Sequence, residues 1–302
     1  MRKLRSVLVV AALSLVLLPG CKGKGDEEKK GEEKKAGVVE VPKAPETADG
    51  VVKEFVKAFG DKEPGRVYHL LPESYQKDIQ GLKDLAIEKL DKEIVDNGLK
   101  AFDKIMSGVA KHKEKLLAND LPIPGISKEA MGGAVDLIVK LWGVLKDAGL
   151  GTYDGWKALD VGQFLLQNGK AIMEAVMEIA GKTEQGAMVG MMAGMVSALA
   201  VEVKETGADF AVLSIGMGED KKDERFVKVE GKWIPEEMSK EWAEGMKEAR
   251  EELQEALEGF EKDKEQIKAM SAALLAAATT FEETGDVNQL LSAFEGPAPA
   301  AE

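Results

Sequence analysis

The sequence predicts an α+β protein that is mostly α: a multi-helix body, a small three- to four-stranded antiparallel meander and a C-terminal helical tail. Three observations carry this. Apolar residues recur at helical spacing through most of residues 49–180. The period changes to two at Leu199, where Leu199, Val201 and Val203 alternate with Ala200, Glu202 and Lys204. Spacings of four and three then return from Trp242 to Phe281.

In the helical body, Val51, Val52, Phe55, Val56 and Phe59 share one face and Gly60 ends the run. Pro64 suits the first turn of a short helix to Leu71, which Pro72 closes. Ser74 is the expected cap of a helix carrying Ile79, Leu82, Leu85, Ala86 and Leu90, and Asp91 of one carrying Ile94 to Val109. Ile123-Pro124-Gly125 breaks the chain. Ser127 is expected to cap Lys128 to Ala148, with Gly149 as C-cap, and Asp160 to cap Val161 to Ala180.

In the sheet, Thr206-Gly207 turns the chain and Phe210 to Ile215 reads as a central strand, apolar on both faces apart from Ser214. Residues 219–222 read as a polar loop, Val227 and Val229 as a strand, Gly231-Lys232 as a tight turn and Trp233-Ile234 as the last strand. Pro235 opens the tail. Its seam breaks at Asp263, and Ala at several seam places suits packing onto the body better than a partner coil. The expected division is residues 1–20, a signal peptide; 21–48, a modified Cys and charged tether; 49–235, the body with its sheet; 236–295, helices packing on the body; and 296–302, a loose end.

Composition narrows the function classes. Of 302 residues, 54 are Asp or Glu and 41 Lys or Arg, for a net charge of -13. A nucleic-acid binder needs clustered cations to neutralise phosphate, so nucleic acid is not an expected partner. One Cys excludes a disulfide scaffold, and two His exclude a His-rich metal site. No metal and no cofactor are expected. The chain holds no G-x-S-x-G elbow, P-loop, H-E-x-x-H helix or EF-hand loop, and no catalytic residue is assigned. His112 in Lys111-His112-Lys113 reads as part of a solvated helix face. His69 in Val67 to Leu71 reads as an amphipathic or capping His rather than a base.

The N-terminus speaks most directly. Arg2, Lys3 and Arg5 precede 12 residues, Val7 to Leu18, that are apolar except for Ser14. That is too short for a helix to span a bilayer, which takes about 20 residues, and fits the core of a secretory signal. The run ends in Leu18-Pro19-Gly20-Cys21, which resembles the lipobox of bacterial lipoproteins; Pro19 departs from the usual small residue at that place. The resemblance implies cleavage after Gly20, acylation of Cys21 and a lipid-anchored envelope protein. Lys22, in place of Asp, implies the outer membrane, facing the periplasm. The run Glu27 to Lys35 and Pro42 and Pro45 read as a solvated tether; a coil of the 27 residues 22–48 spans roughly 30 Å.

The likeness extends to uncharacterised envelope lipoproteins. The helix pair around Phe55 and Tyr68-His69-Leu70-Leu71, with the hairpin Val227 to Trp233, also resembles locally the ketosteroid-isomerase-like cone fold, which implies no catalytic residue here. The expected function is a non-enzymatic binding or structural module whose ligand is a protein, peptide or small molecule. An extracytoplasmic enzyme with carboxylates in a helix–sheet cleft is the alternative. Membrane insertion through residues 186–201, 16 residues without a charge, is the third reading. For that segment a helix over Gly186 to Met195, buried against a neighbour through its glycines, is the expected structure.

Overall fold

Helix α1 (Ala48–Gly60) starts at Thr47, whose side chain accepts the Gly50 N–H, and it lays Ala48, Val51 and Val52 on the sheet. The structure is a computed structural model that describes residues 39–118, 128–181, 191 and 194–294. Its fold is α+β and mostly α, with one four-stranded antiparallel sheet. After α1 come α2 (Pro64–Leu70), α3 (Glu73–Lys89), α4 (Lys92–Ala118), α5 (Lys128–Asp147), α6 (Tyr153–Ala158) and α7 (Val161–Gly181). The strands are β1 (Ala200–Thr206), β2 (Phe210–Met217), β3 (Asp220–Val229) and β4 (Lys232–Pro235), paired in chain order. The tail is α8 (Glu236–Lys262), α9 (Lys264–Thr284) and α10 (Val287–Phe294).

Among the described residues, two apolar clusters hold the fold. In the first, α1 and Leu70 of α2 cover Ala211, Leu213, Phe226 and Trp233 of the sheet. The Trp233 indole donates to the Glu46 carbonyl at 2.9 Å, fixing the chain just ahead of α1. In the second, α4 packs on α9 through Ala101, Val109, Ala278 and Phe281, and Leu290 of α10 closes one end. Gly108 of α4 is what permits this approach. A Cβ there would lie 2.8 Å from the Phe281 ring and 2.8 Å from the Glu282 Cα. Similarly α2 crosses α7 at Gly65, where a Cβ would lie 2.5 Å from the Leu166 nitrogen.

The tail packs on its own body, as the weak seam requires: α8 on α3, β3 and β4, and α9 on α4. Trp242 of α8 stacks on Tyr75 of α3, 4.1 Å between ring centres, and its indole donates to Asp78 at 2.8 Å. The seam breaks at Asp263, which lies between α8 and α9.

Several expectations need correction. The polar run 219–222 is not a loop. Asp220 to Lys222 form the outer part of β3, paired with β2 as far as Met217–Asp220, and of the run only Glu219 lies in the turn. Ladder hydrogen bonds carry the hairpin beyond the covered core, so its side chains can be charged. Ser74 is not the cap of α3; that helix begins at Glu73, and Ser74 instead donates its N–H to Glu230. Helix α6 was not expected from its six residues; Thr152 caps it by accepting the Gly155 N–H. Asp91, Gly149 and Asp160 do cap as read. Of the residues expected to form the tether, 39–46 touch the body at both ends, through the carbonyls of Val39 and Glu46.

His112 is not on a solvated face. It sits at a kink in α4, half-buried on Gly285, with Nε2 3.0 Å from the Glu282 carbonyl. Nor is the end of the Gly/Met segment buried: Met191 and Met195 are 61% and 46% exposed. Residues 182–190, 192–193 and the break at 119–127, including Ser127, lie outside the described residues. Strand β1 begins at Ala200, one residue after the change of period at Leu199, and carries an irregular register between Val203 and Glu205.

Candidate functional site

Polar chemistry concentrates where α2, α3, the head of α7 and the β3–β4 turn meet. The turn is built by Glu230 and Gly231, both at positive φ (51° and 78°), which closes a two-residue hairpin. It places two opposite charges at a helix junction. The Lys232 ammonium donates to the carbonyls of His69 and Leu71, at 2.8 and 2.7 Å, at the negative end of α2. The Glu230 carboxylate accepts the Ser74 N–H at 3.0 Å, at the positive end of α3. Each charge thus satisfies backbone groups that the helices themselves leave open. Burial pushes the Lys232 ammonium below its ordinary pKa, while Glu73 and Glu230 oppose it. The Ser74 backbone bond holds Glu230 below the usual carboxylate range.

Behind the turn, Tyr68 is buried and its hydroxyl donates to the Gln76 carbonyl at 3.0 Å. Burial, with Asp160 adding to it, pushes its phenol up to about 12. Gln80 of α3 bonds both sides of the α6–α7 junction, donating to the Leu159 carbonyl at 2.9 Å and accepting the Val161 N–H at 3.0 Å. Asp160 caps α7 through the Gln163 N–H at 2.9 Å.

His69 projects into the seam between α2 and α7. Its ring meets Tyr68 edge-on, 5.4 Å between centres, and lies against Gly162, where a Cβ would stand 3.1 Å from Cε1 and 3.2 Å from Nε2. Nε2 is buried without a hydrogen-bond partner, and so is Oε1 of Gln163 on the next residue of α7. Burial lowers the His69 pKa and Lys232 lowers it further, against the Gly162 backbone and Asp160. A general base needs an oriented partner and access to the proton it takes. This imidazole has a glycine face and a neighbouring ammonium instead.

Shallow depressions lie on the surface formed by the described residues. One of about 430 Å³ is lined by Asp91, Lys92, Glu93, Asp96, Asn97 and Lys100. Another of about 410 Å³ lies between α4 and the α9–α10 turn, lined by Lys115 and by Thr284 to Asn288 with Leu291. His69 lines neither. Among the described residues, no three His, Cys, Asp or Glu side chains group to hold a metal, and no helix is long and apolar enough to cross a membrane. Cys21 lies outside the described residues.

The sequence singled out His69 but not its company. Lys232 bonds its carbonyl from β4, while Glu230 and Gln80 bond backbone groups elsewhere in the same corner; these residues lie far apart in the chain, and no local pattern joins them. The chain matches no protein-family model, no curated protein and no solved structure.

Proposed function

We propose that the chain is a lipid-anchored protein of the cell envelope, held by an acylated Cys21 at the outer membrane facing the periplasm. Its body acts as a non-enzymatic binding or structural module for a protein, peptide or small molecule. One observation carries the reading: the sole Cys of the chain follows Leu18-Pro19-Gly20 directly behind a 12-residue apolar run with a basic start. The expected tether, the 27 residues 22–48, spans roughly 30 Å as a flexible coil, and its Val39 carbonyl already meets the body at Gln163. The body therefore works close to the bilayer. The charges at the α2–α3 corner are spent on helix ends, which supports a structural role for that corner.

The test is Cys21→Ser. Metabolic labelling with a fatty acid should lose its signal, and the protein should leave the membrane in a detergent-free wash. Continued membrane retention of the variant would refute acyl anchoring and turn attention to the exposed Met191 and Met195.

A further inference from the structure

We propose that His69 is an acid-sensitive latch: as a neutral imidazole it lets α2 and α7 close over Gly162, and on protonation it drives that seam open. The argument is geometric first. The seam is tight, since Gly65, Gly162 and Gly169 sit where any Cβ would meet the opposing element at 2.5 to 3.0 Å. Nε2 of His69 is buried inside it and makes no hydrogen bond, with the Gly162 backbone the nearest group that could favour a proton. A proton there adds a charge and an N–H that need water or a partner, and buried groups lacking both are costly.

The surrounding charges decide the sign. From β4, the Lys232 ammonium repels an imidazolium; from the head of α7, Asp160 attracts it; Tyr68 beside the ring is neutral at these pH values. Burial lowers the Lys232 pKa, and Glu73 and Glu230, which face it, favour its charged form against that. Burial and Lys232 outweigh Asp160 and the Gly162 backbone, so the closed seam takes the proton less readily than an open one. A histidine held below its ordinary value of 6.5 contributes closure that is complete above that pH and lost as pH falls through it. Opening also frees a second group. Gln163 donates to the Val39 carbonyl at 3.5 Å, so the seam holds the point where the N-terminal segment joins the body. This inference does not depend on how the chain is anchored.

The experiment uses the full chain in detergent, with hydrogen exchange followed by mass spectrometry from neutral to mildly acidic pH and corrected for intrinsic exchange. Peptides covering residues 64–71, 161–169 and 39–46 should open progressively below the ordinary histidine pKa, while β2 stays unchanged. Every unit by which His69 is lowered gives about tenfold more opening at full protonation. The chain has two histidines, so the imidazole NMR titration resolves into two signals, with His112→Gln assigning them. His69→Gln should abolish the pH response of the seam. A His69 signal titrating at or above the ordinary value overturns the proposal, whether or not the Gln variant folds. So does seam exchange that ignores pH.

Discussion

Two glycines of α4 should respond oppositely to the same substitution. Gly98 faces open space, with nothing within 4 Å of a would-be Cβ, whereas Gly108 faces the Phe281 ring and the Glu282 backbone at 2.8 Å. Gly98→Ala should stabilise by about 1 kcal/mol, because alanine leaves less backbone freedom to lose in a helix. Gly108→Ala gains the same propensity. Ordinary carbon contacts lie near 3.5–4.0 Å, so α4 and α9 must part locally by roughly 1 Å. Phe281 is fully buried and cannot swing aside. Overpacking of this kind costs about 1–3 kcal/mol, and the backbone partner places it at the upper end. The expected net loss is about 1–2 kcal/mol, so the two variants should differ by about 2–3 kcal/mol. Urea unfolding followed by tryptophan fluorescence measures both. Two variants that move the midpoint in the same direction would refute the close α4–α9 crossing.

The remaining expectations concern the corner and the helix ends. Lys232→Met should destabilise by about 1–3 kcal/mol, since it strips the His69 and Leu71 carbonyls of their donor; denaturant unfolding reads this, and an unchanged midpoint would contradict it. The Tyr68 phenol, raised by burial, gives stability that is present below pH 10 and lost as pH climbs towards about 12; burial raises Tyr75 as well, and alkaline titration by phenolate absorbance should show a latest step near 12 that Tyr68→Phe removes. Trp242→Phe should keep the stack on Tyr75 but lose the bond to Asp78, at a cost of about 1 kcal/mol in thermal unfolding. Gly285→Ala should cost at least about 1–2 kcal/mol, because φ is 70° and the His112 ring stands 2.6 Å from the new Cβ.

Features written in neighbouring residues were legible in the sequence. Helical stripes, the Asp91 and Asp160 caps, the Gly149 stop, the central position of β2 and the break at Asp263 all depend on contacts a few residues apart. What escaped depends on distant ones. Glu230 outcompetes Ser74 for the head of α3 across 156 positions of chain. His112 looks solvated between two lysines until α9 brings Glu282 and Gly285 over it. The charged half of β3 resembles a loop because the pattern reports burial, and those residues pair without being buried. The corner was half legible: His69 stood out, while the lysine and glutamines that define its surroundings were ordinary surface residues on paper.

The irregular register at Lys204 bears on how the sheet ends. β1 is a rim strand, and a flat rim invites another chain to continue the ladder. Here the rim is kinked one residue past Val203, a valine that is 47% exposed, and Glu202, Lys204 and Glu205 crowd the same few residues. An incoming strand would find its hydrogen bonds out of step and its flank charged. The bulge and its charged flank thus work against edge-to-edge pairing at a rim that carries an apolar side chain.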